Sequence, residues 1–200
     1  MPPRGITLVE LLVTLAIVAL LGALALPGLR SLRDQSDSTL AVNQLMGQLA
    51  LARSSAILQH ARVSLCPSPG TGLGSGHHPG TNTGCGARDS WHLGALLFID
   101  SNGNGRHEPA EPELRRFPPL AAGRVYWRAF RNRAYLQYLP SGHTPWQNGS
   151  FHYCAASGAP NLARIVILTA SGRARVARDS NGDGVVEDAN GQPARCPPRG

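Results

Sequence analysis

Arg173 and Arg175 follow Gly172 in a short segment that has the apolar–polar alternation of a β-strand. Alternate residues of a strand point to the same face, about 6.6 Å apart, so both guanidinium groups are predicted on one surface. Arginine binds phosphate oxygens in a bidentate manner and stays charged, while Gly172 lets the backbone turn sharply or approach a partner. With Arg178 nearby, the pattern predicts a phosphate-binding surface. The alternative interpretation is an exposed strand that is merely basic.

Positive charge is concentrated in the second half of the chain. The 200 residues include 19 basic ones, all arginine, and 12 acidic ones, for a formal net charge of +7. Residues 113–178 contain ten arginines and one acidic residue, whereas residues 30–112 contain six of each and residues 179–200 contain two arginines and four acids. A basic face of this kind suits a polyanion. A solvated basic surface without a partner is the alternative.

A second arginine pair, Arg131 and Arg133, flanks Asn132 in an aromatic-rich stretch. Asparagine is favoured in tight turns, so we predict a hairpin with both arginines at its tip as a second contact for the polyanion. The nearby aromatic rings could stack on bases. However, Trp127 alternates with Val125 in the manner of a buried strand face, and we favour the hydrophobic core for these rings.

Two Asp-, Asn- and Gly-rich segments have features of calcium-binding loops. The first runs from Asp100 to Glu111 and satisfies D-x-[DN]-x-[DN]-G-x5-E, with Glu111 in the twelfth position. The segment Asp179–Asp188 repeats only the first half of this pattern, because Asn190 occupies its twelfth position. The same residue types are required in tight turns. We therefore favour turns at both places, more strongly at the second, and predict no metal; calcium is the alternative.

No constellation of catalytic residues is present in the sequence. The seven histidines are scattered without a metal-ligand spacing, and there is no G-x-S-x-G motif, phosphate-binding loop or pair of carboxylates at catalytic spacing. We predict that the protein is not an enzyme and has no cofactor.

The N-terminal segment places one carboxylate, Glu10, directly before an apolar run from Leu11 to Leu26. About 20 apolar residues cross a bilayer as a helix, and a carboxylate in such a segment is costly enough to indicate a function. Arg4 and Gly5 precede the run, whereas an ordinary secretory signal is cleaved after it. We predict a membrane helix with Arg4 on the cytoplasmic side. The alternative is a plain single-pass anchor with an incidental glutamate.

The eight residues from Gly5, G-I-T-L-V-E-L-L, resemble the class III leader of type IV pilins and pseudopilins. The resemblance implies that a prepilin peptidase cleaves after Gly5 and methylates Ile6, which stands where the family usually has Phe. It implies that Glu10 acts in filament assembly, where the amino terminus of a neighbouring subunit would neutralise it. Pro27 falls where the helix of the family often kinks or melts.

The four cysteines, an even number in an exported domain, predict disulfide bonds. Three pairings are possible, and we expect the local ones, Cys66–Cys85 and Cys154–Cys196. Closing a loop of about 20 residues contributes roughly 3 kcal/mol. His77 and His78 lie between the first two cysteines and could suggest zinc, but an oxidising compartment favours the disulfide. The intervening segment, Pro67–Gly86, is predicted to be a long loop.

The predicted organisation is a leader over residues 1–5, a transmembrane and assembly helix over 6–28, an amphipathic helix over 29–60 that ends near Gln59, and a β-rich globular domain over 61–200. The helical period predicts a buried stripe of Leu40, Leu45, Leu49, Ala52 and Ala56. Strands are predicted at Arg62–Cys66, Gly94–Asp100, Glu113–Phe117, Val125–Arg131, Ala134–Leu139, Ser150–Cys154, Ala163–Thr169 and Arg173–Arg178. A long helix packed on antiparallel sheets is an α+β fold.

This order of elements resembles the GspH/FimT branch of the minor pilins and pseudopilins. The residues that carry the likeness are Leu51 to Ser54, Leu65 to Pro67, Trp91, residues 97–105 and Glu111 with Pro112. Gly172-Arg173-Ala174-Arg175 also matches the GRxR motif of FimT-type pilins, which bind DNA during natural transformation.

The resemblance implies a minor type IV pilin that binds DNA through its phosphates, without sequence specificity. Its implied partners are other minor and major pilins, the prepilin peptidase and, before assembly, the bacterial inner membrane, with the C-terminal domain in the periplasm. The alternative is a GspH-type pseudopilin of a type II secretion system, with a purely structural role.

Overall fold

The chain folds as one long helix followed by two antiparallel β-sheets. The structure, a computed structural model, describes residue 5 and residues 7–69, 84–129, 131 and 133–197; the side chains of residues 23–27 and 30 in the helix are outside this description. The predicted loop Pro67–Gly86 therefore lies mostly outside the described residues, as does Asn132. The α+β prediction is confirmed.

The helix α1 covers Leu8–Leu58. At its start the Thr7 hydroxyl accepts a hydrogen bond from the Glu10 amide at 3.2 Å, which satisfies one of the amide groups that have no partner in the first turn. Gln59 caps its end, which confirms the predicted end of the helix. The helix continues across Pro27 without a break, so the melting that the resemblance suggested there does not occur in this structure.

The N-terminal part of α1 is apolar and projects away from the sheets. Leu8, Leu12 and Leu20 are more than half exposed within this chain, at 76%, 58% and 64%. Among the described residues, no helix combines the length and the apolar character that a membrane span needs. The membrane helix over residues 6–28 stays a prediction.

The C-terminal part of α1 has one buried face that supplies one side of the main core. Its buried apolar residues recur every three or four positions, as on one face of a helix: Ala41, Val42, Leu45, Leu49, Ala52 and Ala56. The prediction is wrong only at Leu40, which is 58% exposed, because the stripe begins one residue later. This face contacts strands of both sheets.

The first sheet has the strand order β3-β2-β1-β5 and the second has β4-β6-β7-β8, with antiparallel neighbours throughout. The strands of the described part are β1 Val63–Pro67, β2 Ala95–Ile99, β3 Glu113–Phe117, β4 Arg124–Ala129, β5 Leu136–Tyr138, β6 Gly149–Cys154, β7 Arg164–Leu168 and β8 Ala174–Val176. Each predicted strand is present, and its ends differ from the prediction by at most two residues.

The second sheet is packed on its inner face and covered over part of its outer face. Its inner face, which includes Phe151 and Val166, packs on α1 and the first sheet. On its outer face Ile165 and Ile167 pack with Val186, from the segment that follows β8. The chain after β8 therefore acts as a cover for a sheet face that would otherwise expose apolar side chains.

Both predicted disulfides are present. Cys66 at the end of β1 is bonded to Cys85, and their Cα atoms are 5.6 Å apart. Cys154 at the end of β6 is bonded to Cys196, with a Cα separation of 5.7 Å. The second bond ties the C-terminal cover to the sheet beneath it.

The imidazole of His152 is buried under this cover. We therefore expect the stability of the folded domain to depend on pH. Burial, followed by the positive charge of Arg128, lowers the pKa of His152 from 6.5 to about 4. The unfolded chain binds the proton at a higher pH than the folded chain does. The free energy of unfolding should therefore decrease as the pH falls from 6.5 to 4, with a slope of up to about 1.4 kcal/mol per pH unit.

Denaturant unfolding of the full chain in detergent micelles, at several pH values, measures this slope. His152→Gln should remove most of it, whereas the control His143→Gln, at an exposed position, should not. An unchanged slope in His152→Gln would assign the pH dependence to other groups.

Candidate nucleic-acid interface

The predicted DNA-binding segment begins in the tight hairpin between β7 and β8. The Thr169 amide donates to the Arg173 carbonyl at 3.0 Å, and the Gly172 amide donates to the Thr169 carbonyl at 2.9 Å. These bonds fix residues 169–173 as a closed turn at the edge of the second sheet.

Gly172 is required in this turn for two reasons. Its φ angle is +77°, in the left-handed region that other residues rarely adopt. A Cβ atom at this position would also lie 1.9 Å from the carbonyl oxygen of Gly142 and 3.0 Å from the ring of Tyr138. The glycine of the GRxR motif therefore has a structural role, which is the close approach of the hairpin to the neighbouring loop.

That neighbouring loop, residues 139–144, connects the hairpin to the first sheet and to α1. The Thr144 amide donates to the Ala170 carbonyl at 3.0 Å, and Thr144 itself is 4% exposed. On the other side of the loop, Gly142 lies against Ile57 and Arg53 of α1. The hairpin is therefore held against the loop 139–144, which in turn packs on α1.

The arginines that follow the glycine are on the surface. Arg173, Arg175 and Arg178 are all exposed. Ala174, between the first two, packs on the hydrophobic core, so strand alternation assigns Arg173 and Arg175 to the opposite, outer face. Their exposure and common face agree with the sequence prediction.

Strand pairing adds a residue that sequence analysis did not select. Arg128 on β4 pairs with Ser150, Ser150 with Ile167, and Ile167 with Arg175. Residues in one such row share a face, and three strand spacings of about 4.8 Å separate the ends by about 14 Å. Arg128 and Arg175 therefore lie on the same outer face, and Arg128 is exposed. Only the pairing register carries this information.

Arg53 is a second residue that the sequence prediction of this site missed. A groove of about 420 Å³ between α1 and the hairpin is lined by both Arg53 and Arg173. In the described part of the chain the Nε atom of Arg53 has no hydrogen-bond partner. Burial raises the pKa of the nearby Tyr138 hydroxyl, and the charge of Arg53 opposes this shift. The only feature of the sequence that could have indicated Arg53 is its position beside the buried stripe of the helix.

The predicted hairpin at Arg131 and Arg133 is wrong. β4 belongs to the second sheet and β5 to the first, so the segment that joins them crosses between sheets. Arg131 is exposed, whereas Arg133 is half-buried, donates to the Tyr135 hydroxyl and lies over its ring. Among the described residues, no hydrogen bond or ring contact joins this pair to the arginines of β8.

Most of the arginines in residues 113–178 are available to a partner. Eight of these ten side chains are exposed; the two that are half-buried are Arg133 and Arg164. Within the described ranges, one ion pair is formed, between Arg116 and Glu113 at 2.7 Å. The charge predicted from the sequence is therefore largely uncompensated by neighbouring carboxylates.

The prediction that the aromatic residues belong to the core is confirmed at Trp127. It is 3% exposed and its ring centroid lies 4.3 Å from that of Phe151. Phe151 also makes an edge contact with Trp91, at 5.0 Å between ring centroids. These rings therefore do not form a surface for base stacking.

The first of the two Asp-rich loops is a hydrogen-bonded turn. One oxygen of Asp100 accepts from Ser64, Gln137 and the Gly105 amide. The two oxygens of Glu111 accept from the amides of residues 101 and 108. The two acidic residues that would bind calcium thus organise the backbone of the loop, as the turn interpretation predicts.

Comparison with known proteins places this architecture among the type IV pilin-like proteins. The type IV minor pilin FimU of Pseudomonas aeruginosa superimposes with a TM-score of 0.50 at 19% identity, covering 72% of this chain and 87% of that chain. This likeness shows the fold. The model of the prokaryotic N-terminal methylation motif matches residues 2–26.

The model of the family described as Type II transport protein GspH matches residues 41–172. The chain belongs to this family and is a minor pilin or pseudopilin. It is also 36% identical over 112 residues to the Pilin-like protein PilA1 of Thermus thermophilus. That match covers 56% of this chain and 57% of the relative, so it spans little more than half of either protein.

Replacing Gly172 with alanine should lower the free energy of unfolding. The loss should exceed the cost of the left-handed backbone conformation alone. The left-handed φ costs about 1 kcal/mol, and the overlap with Gly142 adds to it, so we expect a loss of about 2 kcal/mol or more. Chemical unfolding of the full chain in detergent measures the difference.

Gly182→Ala is the matched control, because Gly182 has a φ of +80° but nothing within 4 Å of its Cβ position. Equal losses in the two variants would mean that the approach to Gly142 contributes nothing.

Proposed function

We propose that this protein is a minor pilin that binds DNA through the surface formed by Arg128, Arg173, Arg175 and Arg178, which we call the arginine surface. The observation that carries the proposal is that these four side chains are exposed and without an ion-pair partner in the described structure. Two of them lie in one cross-strand row. The likeness of residues 172–175 to the GRxR motif supports it.

Phosphate is the ligand chemistry that suits this surface. Guanidinium groups bind phosphate oxygens through paired N–H donors and remain charged at all physiological pH values. A span of about 14 Å between Arg128 and Arg175 corresponds to roughly four base-pair rises along B-DNA. Because phosphate contacts carry no base information, the binding is expected to be independent of sequence.

The immobilised hairpin favours binding as well. Gly172 fixes the turn against the loop 139–144, so Arg173 and Arg175 are presented from a rigid backbone. A rigid presentation reduces the entropy that the protein loses on binding. Arg53 extends the positive charge into the groove behind Arg173. Arg131 and Arg133, on the connection between the sheets, form a separate and secondary contact.

The N-terminal segment supports incorporation into a filament. We infer cleavage by a prepilin peptidase after Gly5, methylation of Ile6 and residence in the inner membrane before assembly, as the methylation-motif match over residues 2–26 suggests. The exposed apolar surface of α1 then packs on other pilins. Glu10 lies in the first turn of α1 and is exposed within this chain. On burial in a filament its carboxylate would need a positive partner, and the amino terminus of a neighbouring subunit supplies one. Pro27 would allow the assembled helix to bend.

The second candidate function is that of a pseudopilin in a type II secretion system. The match to the family described as Type II transport protein GspH favours it. In that case the arginine surface would be solvated or would contact other pseudopilins. The two candidates share the assembly chemistry at Glu10 and differ in affinity for nucleic acid.

Binding of the full chain, in detergent micelles, to a fluorescently labelled DNA duplex measures this affinity. We expect a Kd on the order of micromolar and, for four phosphate contacts, a slope of about 3.6 in log Kd against log salt. The double variant Arg173→Ala/Arg175→Ala should weaken binding and reduce that slope by about 2. It should not unfold the domain, because both side chains are exposed.

The matched control is Arg88→Ala/Arg106→Ala, which removes the same charge from two exposed positions outside the arginine surface. Binding that falls equally in both double variants would indicate a response to net charge. The absence of binding at low salt would leave the secretion pseudopilin as the function.

Glu10→Ala tests the assembly proposal. The variant should still insert in the membrane, because it only adds apolar character to the segment, but it should be incorporated into filaments poorly since the amino terminus of its neighbour loses its partner. Immunoblots of sheared filaments and of membranes measure the two steps separately. Normal incorporation of Glu10→Ala into filaments would refute charge pairing at this position.

A further inference from the structure

The second Asp-rich loop brings three carboxylates together, unlike the first. Asp179, Asp183 and Glu187 each place an oxygen within 4.8 Å of the others. Asp179 and Asp183 are exposed, whereas Glu187 is 7% exposed. The amides of Gly182 and Gly184 donate to the two oxygens of Asp179. The three carboxylates still repel one another at this separation, and a cation between them would relieve the repulsion.

Glu187 supplies an independent indication of a ligand. Its Oε2 atom accepts hydrogen bonds from the amide and the hydroxyl of Ser180, both at 2.7 Å. Its Oε1 atom is buried and has no hydrogen-bond partner in the described structure. A buried carboxylate oxygen without a donor is costly, and a bound cation would satisfy it.

The first loop shows how the same motif is satisfied without a cation. Glu111 has both of its oxygens bonded to backbone amides. One oxygen of Asp100 also lacks a partner, but the groups around its other oxygen are the donors Ser64 and Gln137. Among the described residues, the first loop brings no group of three carboxylates together.

We propose that Asp179, Asp183 and Glu187 bind one Ca²⁺ ion. All three ligands are carboxylate oxygens, which hard cations prefer, and Ca²⁺ completes its six to eight ligands readily with water and carbonyl oxygens. Two of the ligands reach solvent, so the ion has an open entry path. Mg²⁺ fits less well because it requires near-ideal octahedral geometry and keeps most of its water.

The sequence pattern did not select Glu187 because it fixes the closing acid at the twelfth position. In the second loop the closing acid is Glu187, at the ninth position from Asp179. Ser180 orients it through two hydrogen bonds, so the loop closes three residues early.

The bound ion has a structural role in this position. Val186, next to Glu187, packs on Ile165 and Ile167 of the outer face, and Cys196 ties the end of the same segment to β6. The ion would link Asp179, at the start of the C-terminal cover, to Glu187, beside the packed Val186. This link would hold the cover on the sheet.

Isothermal titration of Ca²⁺ into the full, EDTA-treated chain in detergent micelles tests the proposal. One ion should bind, with a Kd on the order of 10⁻⁴ to 10⁻³ M, the range of extracellular calcium modules. Glu187→Gln should weaken binding at least about tenfold, since it removes one of three charged ligands. The amide oxygen of Gln can still accept from Ser180, so the variant should fold; Asp183→Asn is a second variant at an exposed ligand.

Glu108→Gln is the charge-matched control, because Glu108 is exposed in the first loop, and it should bind Ca²⁺ like the parent. Absence of saturable binding up to about 10 mM Ca²⁺, well above the expected range, would overturn the proposal. Parental affinity in both Glu187→Gln and Asp183→Asn, or loss of binding in Glu108→Gln, would overturn it as well.

Discussion

The structure depends on the burial of one helical face by two sheets at once. The stripe from Ala41 to Ala56 is the surface on which the first and second sheets meet, and each apolar side chain buried there contributes on the order of 1–3 kcal/mol. Because the sheets share this stripe, their edges are brought into contact around the end of α1. The loop 139–144 of one sheet and the β7–β8 hairpin of the other lie together there.

The position of the arginines is a consequence of this arrangement. Ala174 of β8 packs on the core, so the neighbouring outer positions of the strand must be polar or covered. The cover formed by the C-terminal segment protects Ile165 and Ile167 and leaves Arg173 and Arg175 exposed at the sheet edge. The same sheet face thus contains an apolar part under a cover and a charged part open to solvent.

Sequence alone predicted the helix end, the strands and the disulfides, because these depend on local period, turn residues and cysteine spacing. It failed where the outcome depends on which strands pair. Arg131 and Arg133 flank a typical turn residue, yet β4 and β5 pair with strands of different sheets. Arg128 was missed since its register with Arg175 runs through β6 and β7. The proposed ligand Glu187 was not selected because hydrogen bonds from Ser180, rather than the spacing of the pattern, hold it in its loop.

The two proposed sites are close enough along the chain to influence each other. Asp179 directly follows Arg178, and residues 179–200 carry four acids and two arginines. Exposed charges interact over a Debye length of about 8 Å at physiological ionic strength. Three unneutralised carboxylates beside the arginine surface would repel phosphates, whereas a bound divalent cation would cancel most of their charge. Calcium and DNA should therefore each favour binding of the other, because linkage makes such a coupling reciprocal.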